Sequence, residues 1–501
     1  MNGRPNMSAA DTSAPQARAA RWTPQRVVIV GAGMAGTRLA DEIAQRDVGG
    51  RVAVTLLGAE PHRPYNRVQL TNVLAGAAAE EDIVLPVPED EVAVRLGTAV
   101  SGIDRERRQV RTADGGGIGY DTLVLATGAD PLIPPVGGVR TADGGLRPGV
   151  FAFRTLADCR ALAAAADAAR RVVVVGGGVL GLEAARGLAG RGLDVCVLHM
   201  APWLMEARLD AEGGKILGAA YGDVGIDVRV NATAVEVSGA DRADGVILDS
   251  GERIPADLVV FACGIRPSTA LAADAGLRVE RGIVVDDELR TSDPRIHAIG
   301  DCAQHPAIAG GLLDSAWEQA RVLAERITDP ESTALYTGSA EVTRLKAADL
   351  DLVAMGEVNP DPDTDDDAAS VVFSDARGRT YKKLVLRDER LVGAILLGDD
   401  ETSGLVTQLF DRGTVAPPDP KVLLFRGLRQ GTDDSGPDLR EDATVCRCNG
   451  VTREDIVREF AAGARTVEAL RDRLRSGTGC GTCRGRVAAL IADLPADMPA
   501  A

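Results

Sequence analysis

One unit is written twice in this chain. Val27-Val28-Ile29-Val30 runs straight into Gly31-Ala-Gly33-Met-Ala-Gly36; Thr37 to Gln45 then follows a helical spacing, and Val52 to Leu57 is a second apolar run. Much later, Val172 to Val175 runs into Gly176-Gly-Gly178-Val-Leu-Gly181, a helical stretch through Leu188 and the run Asp194 to Leu198. Short strands that are apolar throughout suit a parallel sheet with helices on both faces. A glycine loop between strand and helix lets the backbone turn tightly and approach a pyrophosphate at the helix N-terminus. One such loop is weak evidence. Two, each in a strand–helix frame, predict an α/β protein with two doubly wound, Rossmann-like dinucleotide-binding domains.

The residues after each second strand carry the next signal. An acid there takes the ribose hydroxyls of a bound dinucleotide, and Glu60 is the candidate in the first unit, later than the usual offset. The second unit has His199 instead, which either tolerates a 2′-phosphate, attracts one when protonated, or is a surface residue with no role. NADH and NADPH both stay open. Two further apolar strands end in turns, at Thr127-Gly128 and at Gly264-Ile-Arg-Pro267, and a third ends on Gly300-Asp301. By local chemistry alone, Glu183 reads as an ordinary helix acid, and Asp301 as a cap for the short stretch Cys302 to His305.

Four of the eight cysteines cluster near the C-terminus as Cys446-Arg-Cys448 and, after a gap of 31 residues, Cys480-Gly-Thr-Cys483. Four thiolates form the ligand set of a [2Fe–2S] cluster or of a tetrahedral zinc ion. The other four cysteines are scattered and form no close pair, so a reduced, cytoplasmic protein is expected. The net charge of −17 disfavours nucleic-acid binding. No run of apolar residues is long enough to span a membrane.

At 501 residues the chain has room for about three domains of ~150 residues. The expected order is a disordered tail over 1–25, a dinucleotide domain over 26–150 that resumes over 281–330, and a second dinucleotide domain over 151–280. A small, strand-rich α+β domain follows over 331–428 with an acidic loop at Asp361 to Asp367. Ala416-Pro-Pro-Asp-Pro420 and the polar run Gln430 to Asp442 read as linker sequence, formally 429–442, before a cysteine module over 443–493.

Taken in order, Gly31–Gly36, the Ala-Thr-Gly turn ending at Gly128, Gly176–Gly181 and Gly300-Asp301 resemble the flavoprotein pyridine nucleotide oxidoreductases, of glutathione-reductase-like fold. Pro61-His-Arg-Pro-Tyr-Asn-Arg67, Leu180-Gly-Leu-Glu-Ala-Ala185, Ala201-Pro-Trp-Leu-Met-Glu206 and Gly264-Ile-Arg-Pro267 are similar to the branch holding rubredoxin reductases and the NAD(P)H nitrite reductase large subunit. Val445-Cys-Arg-Cys448 and Gly477-Thr-Gly-Cys-Gly-Thr-Cys483 resemble the small helical [2Fe–2S] domain of the bacterioferritin-associated ferredoxin type.

The resemblance implies FAD held by Gly31, Gly33, Gly36 and Glu60, with Arg67 beside the flavin, the Thr127-Gly128 turn in the same site and Asp301 on the ribityl or pyrophosphate side. It implies NAD(P)H on Gly176, Gly178 and Gly181, with Glu183 near the nicotinamide and His199 at the adenosine end. Cys446, Cys448, Cys480 and Cys483 would hold the cluster. No cysteine pair lies on the first Rossmann helix, so the implied route for electrons is out through the cluster. The arrangement is similar to the electron-transfer subunit of assimilatory nitrate reductase, which implies a nitrate reductase catalytic subunit as acceptor. The alternatives are a general ferredoxin or rubredoxin reductase and a non-enzymatic iron or redox-sensing module.

Overall fold

The computed structural model describes residues 23–306, 311–347, 350–360, 367–425 and 443–495. The expected tail up to residue 22, the acidic loop up to residue 366 and the polar linker run through residue 442 lie outside the described residues.

The first sheet has five parallel strands in the order Ile296–Ala298, Thr122–Leu125, Gln25–Val30, Val52–Leu57 and Val92–Arg95. Val27, Val28 and Ile29 are at most 1% exposed. Strands buried on both faces need continuous apolar sequence, and each such side chain contributes about 1.5–3 kcal/mol of burial. The strand Ile296–Ala298 joins this sheet after the whole second unit has been traversed, so the first domain is assembled from two stretches of chain. The second sheet repeats the design, in the order Asp227–Arg229, Asp194–Leu198, Arg171–Val175, Leu258–Phe261 and Val150–Ala152, all parallel. Ala129–Pro131 and Ile265–Pro267 pair antiparallel and stitch the two domains together.

The third unit is an antiparallel sheet of Val342–Ala347, Leu350–Gly356, Arg390–Leu397, Thr380–Arg387 and Ala368–Asp375, with the helix Asp400–Arg412 against it. Ala416 to Pro420 corrects the linker reading. The Ala416 N–H bonds to the Glu389 carbonyl at 2.7 Å, and Ala416, Leu423 and Leu424 join the apolar core of this sheet. Prolines there shape a packed edge, and the following residues form the short turn Pro420–Leu423.

The cysteine module has two short strands, Thr444–Cys446 and Val451–Thr452, and the helices Arg453–Ala461, Val467–Leu474 and Arg484–Asp493. Thr452 and Asp455 form a reciprocal capping box that fixes where the first helix begins. Among the described residues no helix is long and apolar enough to cross a membrane.

Candidate functional site

The two glycine loops build one geometry twice. Gly31 adopts φ +116°, and a side chain there would overlap the Ala126 carbonyl oxygen; one on Gly36 would overlap the Gly31 oxygen. In the second unit, Gly176 adopts φ +121° with the Ala262 oxygen in its way, and Gly181 faces the Gly176 oxygen. The outer two glycines therefore hold strand, turn and helix in contact. Gly33 and Gly178 differ, because nothing lies within 4 Å of where their Cβ would stand. Each is the N-cap of its helix without a side-chain cap, so the helix N–H groups face open space, as a pyrophosphate requires.

A cleft of about 670 Å³ opens at the first loop, between the two dinucleotide domains. Glu60 stands on one wall, ion-paired to Arg67 and accepting a hydrogen bond from the Tyr65 hydroxyl at 2.8 Å. Burial pushes the Tyr65 hydroxyl well above its ordinary pKa, so it serves as a neutral donor. Arg67 also reaches the Arg154 carbonyl at 3.3 Å, and Arg154 donates to Asp301 at 2.6 Å. Asp301 therefore does not cap the stretch that follows. It lies within the turn Gly300–Cys302, its carboxylate held by a guanidinium from across the cleft. The Thr127 hydroxyl donates to the Ser268 carbonyl at 2.8 Å, and the Ser268 N–H to the Gly128 carbonyl at 2.9 Å, which fixes the cleft floor across the domain boundary. Acids and arginines alternating along a glycine-lined cleft fit an extended dinucleotide.

His199 departs from one of its sequence readings. It is 7% exposed, and its Nδ1 accepts the Gly177 N–H at 3.2 Å while Nε2 lies 2.8 Å from Glu206. It is not a surface residue. It braces the second glycine loop and holds Glu206, whose side chain stays 44% exposed. Sequence reasoning passed over Glu206 because it lies eight residues beyond the strand end at Leu198, although it closes the run Ala201 to Glu206. Glu183 does not line the cleft. Its carboxylate accepts from the Thr71 hydroxyl at 3.1 Å, between the helices Val179–Gly190 and Leu70–Leu74.

The four C-terminal cysteines converge without forming disulfides. Cys446 and Cys448 have their sulfurs 3.8 Å apart; Cys446 also reaches Cys483, and Cys448 reaches Cys480. Hydrogen bonds from its neighbours push the Cys446 thiol far down, and facing that thiolate pushes Cys448 and Cys483 up. Four crowded sulfurs, three of them buried, would repel one another as thiolates until a metal cation compensated them. Gly479 makes the enclosure possible, since a Cβ there would stand 2.5 Å from the Cys448 sulfur and 3.0 Å from the Trp317 ring. The sulfurs form one continuous chain of contacts, Cys480–Cys448–Cys446–Cys483, a four-thiolate set that would hold a [2Fe–2S] cluster or a single tetrahedral zinc ion.

Cleft and quartet share a wall. Met34 and Leu313 line the cleft and also pack on the apolar cluster that contains Cys446, Cys448, Cys483 and Trp317. Ala316 faces the cleft and the next residue, Trp317, faces the cysteine module, with the Arg38 guanidinium 5.0 Å over its ring.

Comparison with known proteins agrees with this architecture. The pyridine nucleotide-disulphide oxidoreductase family matches residues 25–322, the rubredoxin NAD+ reductase C-terminal domain matches 342–414, and the BFD-like [2Fe-2S] binding domain matches 444–493. The chain is 36% identical over 469 residues to the nitrite reductase (NAD(P)H) of Bacillus subtilis strain 168, covering 92% of this chain and 56% of that protein. It is 34% identical to the assimilatory nitrate reductase electron transfer subunit of the same organism, covering 92% of this chain and 58% of that protein. The chain thus spans little more than half the length of these relatives. The crystal structure of the ferredoxin reductase for the CYP199A2 system from Rhodopseudomonas palustris superposes with a TM-score of 0.69 at 28% identity, over 78% of this chain and 96% of that one. The chain belongs to the pyridine nucleotide-disulphide oxidoreductase family, as an FAD- and NAD(P)H-dependent oxidoreductase with a BFD-like [2Fe-2S] domain following it in the same polypeptide.

Proposed function

We propose that this protein takes reducing equivalents from NAD(P)H and delivers electrons to a separate acceptor protein, the catalytic subunit of an assimilatory nitrate reductase. The observation that carries the reading is the shared wall: Met34 and Leu313 line the cleft and also pack on the apolar cluster that contains Cys446, Cys448 and Cys483. The relative named as a nitrate reductase electron transfer subunit supports the choice of acceptor. When bound, FAD accepts the two electrons and proton of a hydride, and the [2Fe–2S] cluster relays the electrons one at a time.

The chain's own residues do the rest. Gly33 and Gly178 admit the two pyrophosphates to helix N-termini. Glu60, fixed by Arg67 and Tyr65, accepts the adenosine ribose hydroxyls of FAD, and Asp301, held by Arg154, orients the ribityl side. Glu206, braced by His199, offers the second ribose a carboxylate acceptor and repels a 2′-phosphate, which favours NADH. Glu183 stands on the second helix, toward the nicotinamide end. Met34, Leu313 and Trp317 keep water out of the path between the sites.

The test mixes purified protein anaerobically with NADH and either a nitrate reductase catalytic subunit or a small ferredoxin. Faster electron delivery to the nitrate reductase subunit upholds the reading. Preference for the ferredoxin, which the match to a rubredoxin reductase C-terminal domain would favour, replaces it with a general reductase.

A further inference from the structure

Both ligand-bearing loops of the cysteine module are gripped by the flavin-binding domain, at residues beside the ligands themselves. Asn66, only 2% exposed, donates from Nδ2 to the carbonyls of Thr478 and Gly479, each at 2.6 Å. Gln69, 7% exposed, donates from Nε2 to the carbonyl of the ligand Cys480 at 2.9 Å. The amide orientations are set by their other ends: Asn66 Oδ1 accepts the Val68 N–H at 3.0 Å, and Gln69 Oε1 accepts from Asn72 at 2.6 Å.

The other loop is held in the same way. Arg447, between ligands Cys446 and Cys448, pairs with Asp314 at 3.0 Å and with Asp411 of the third domain at 3.1 Å. Asn449, next to Cys448, accepts from Arg38 at 2.8 Å, and Arg475 pairs with Asp41. Between Asn66 and Gln69 lies Arg67, which turns the other way to meet Glu60 in the cleft. A single short turn, Arg67–Gln69 with its Asn66 cap, therefore touches the cleft on one side and the cluster loop on the other.

We infer that Asn66 and Gln69 are positioning residues that register the cluster loop against the flavin cleft, so that electrons cross between the two sites with the module docked and not by excursion of a tethered shuttle. The inference rests on the proposed passage of electrons from cleft to cluster, and it is independent of which acceptor follows. The physical reason is cost: three loop carbonyls, that of Gly479 buried and those of Thr478 and Cys480 half-buried, receive these two amides, and a carbonyl left unpaired away from water loses its hydration without compensation. Loss of the amides frees the loop to shift, and electron transfer slows steeply as donor and acceptor move apart. Each transfer moves one electron and reduces one ferric ion to ferrous, so two transfers empty the hydride's pair and a one-electron acceptor must take the first before the second can follow.

The experiment uses the full chain loaded with FAD and cluster, mixed anaerobically with NADH in a stopped-flow cell. The flavin visible band reports the hydride step, and freeze-quench EPR reports cluster reduction. Asn66→Ser keeps an oxygen to cap the turn but no longer reaches the loop, and Gln69→Met keeps length without a donor. In the double variant, flavin bleaching stays at the wild-type rate and cluster reduction falls about tenfold. Added viscogen leaves the wild-type transfer unchanged and slows that of the variant, a signature that mere loss of stability does not produce. Cluster reduction at the wild-type rate in the double variant overturns the inference, as does a wild-type rate that falls with viscosity. A slowed variant in a protein that never reduces the nitrate reductase subunit upholds the clamp and sinks the acceptor.

Discussion

The two dinucleotide units are alike where the backbone decides and unlike where a side chain must choose a ligand. Their sheets share strand order and their glycine loops share φ angles and the same obstructing carbonyls. After the second strand they part: the first places Glu60 against Arg67 and Tyr65, and the second buries His199 and offers Glu206. Packing a helix onto a strand allows one solution. Recognising a ribose allows several, and that freedom lets one fold hold two different dinucleotides.

The largest effects come from the glycines that pack helix on strand. Gly36→Val and Gly181→Val drive a side chain into a backbone carbonyl, and each costs about 3 kcal/mol or more, read by denaturant unfolding. Gly33→Ala and Gly178→Ala meet no atom of the protein, so stability holds while each unit loses its own ligand: bound FAD for the first, KM for NADH for the second. A Gly33→Ala protein with full FAD content would end the assignment of that loop to the pyrophosphate.

The acids come next. Glu206→Arg shifts the kcat/KM ratio toward NADPH by ten- to a hundredfold, about 1.4 kcal/mol per decade. Glu60→Gln leaves that ratio alone and lowers FAD retention on gel filtration. If Glu60→Gln changed nicotinamide preference, the two units would have been assigned in the wrong order.

The smallest effect belongs to a matched pair at the strand entries. Asp121 accepts from the backbone and side chain of Arg26, which holds its carboxyl down at about 2, and Asp257 is held low by the backbone N–H groups of Arg170 and Arg171. A depressed carboxylate stabilises the fold above its unfolded pKa of 3.8 and loses that contribution as pH falls through its folded value. Both side chains are more than a third exposed, so screening limits each to less than about 1 kcal/mol at neutral pH. Asp121→Asn should therefore be measurably less stable than wild type at pH 7, with the gap closing as pH falls through about 2 in acid titrations of unfolding.

The legible parts of this molecule are those fixed by neighbours in sequence. The runs Val27–Val30 and Val172–Val175 had to be buried parallel strands, and the glycine loops had to follow them. The cysteine spacing pointed to a four-sulfur site, with two metals open until the match to a BFD-like [2Fe-2S] binding domain selected the cluster. What stayed hidden depends on partners distant in sequence. His199 looked like a strand-end residue because nothing local says that Gly177 needs an acceptor. Asp301 looked like a cap because Arg154, 147 residues away, is what it meets. Ala416 to Pro420 looked like a linker because prolines also shape packed edges. Asn66 and Gln69 were legible only as members of a run resembling a flavin-side segment, for their carbonyl partners lie more than 400 residues on.

The decisive measurement is metal content and EPR of the anaerobically purified, FAD-loaded protein before and after one equivalent of NADH. Two irons per chain, and a reduced [2Fe–2S] signal that grows as the flavin band bleaches, are the expected result. Zinc in place of iron, or a flavin that bleaches while the cluster stays oxidised, would show that the shared wall carries no electrons.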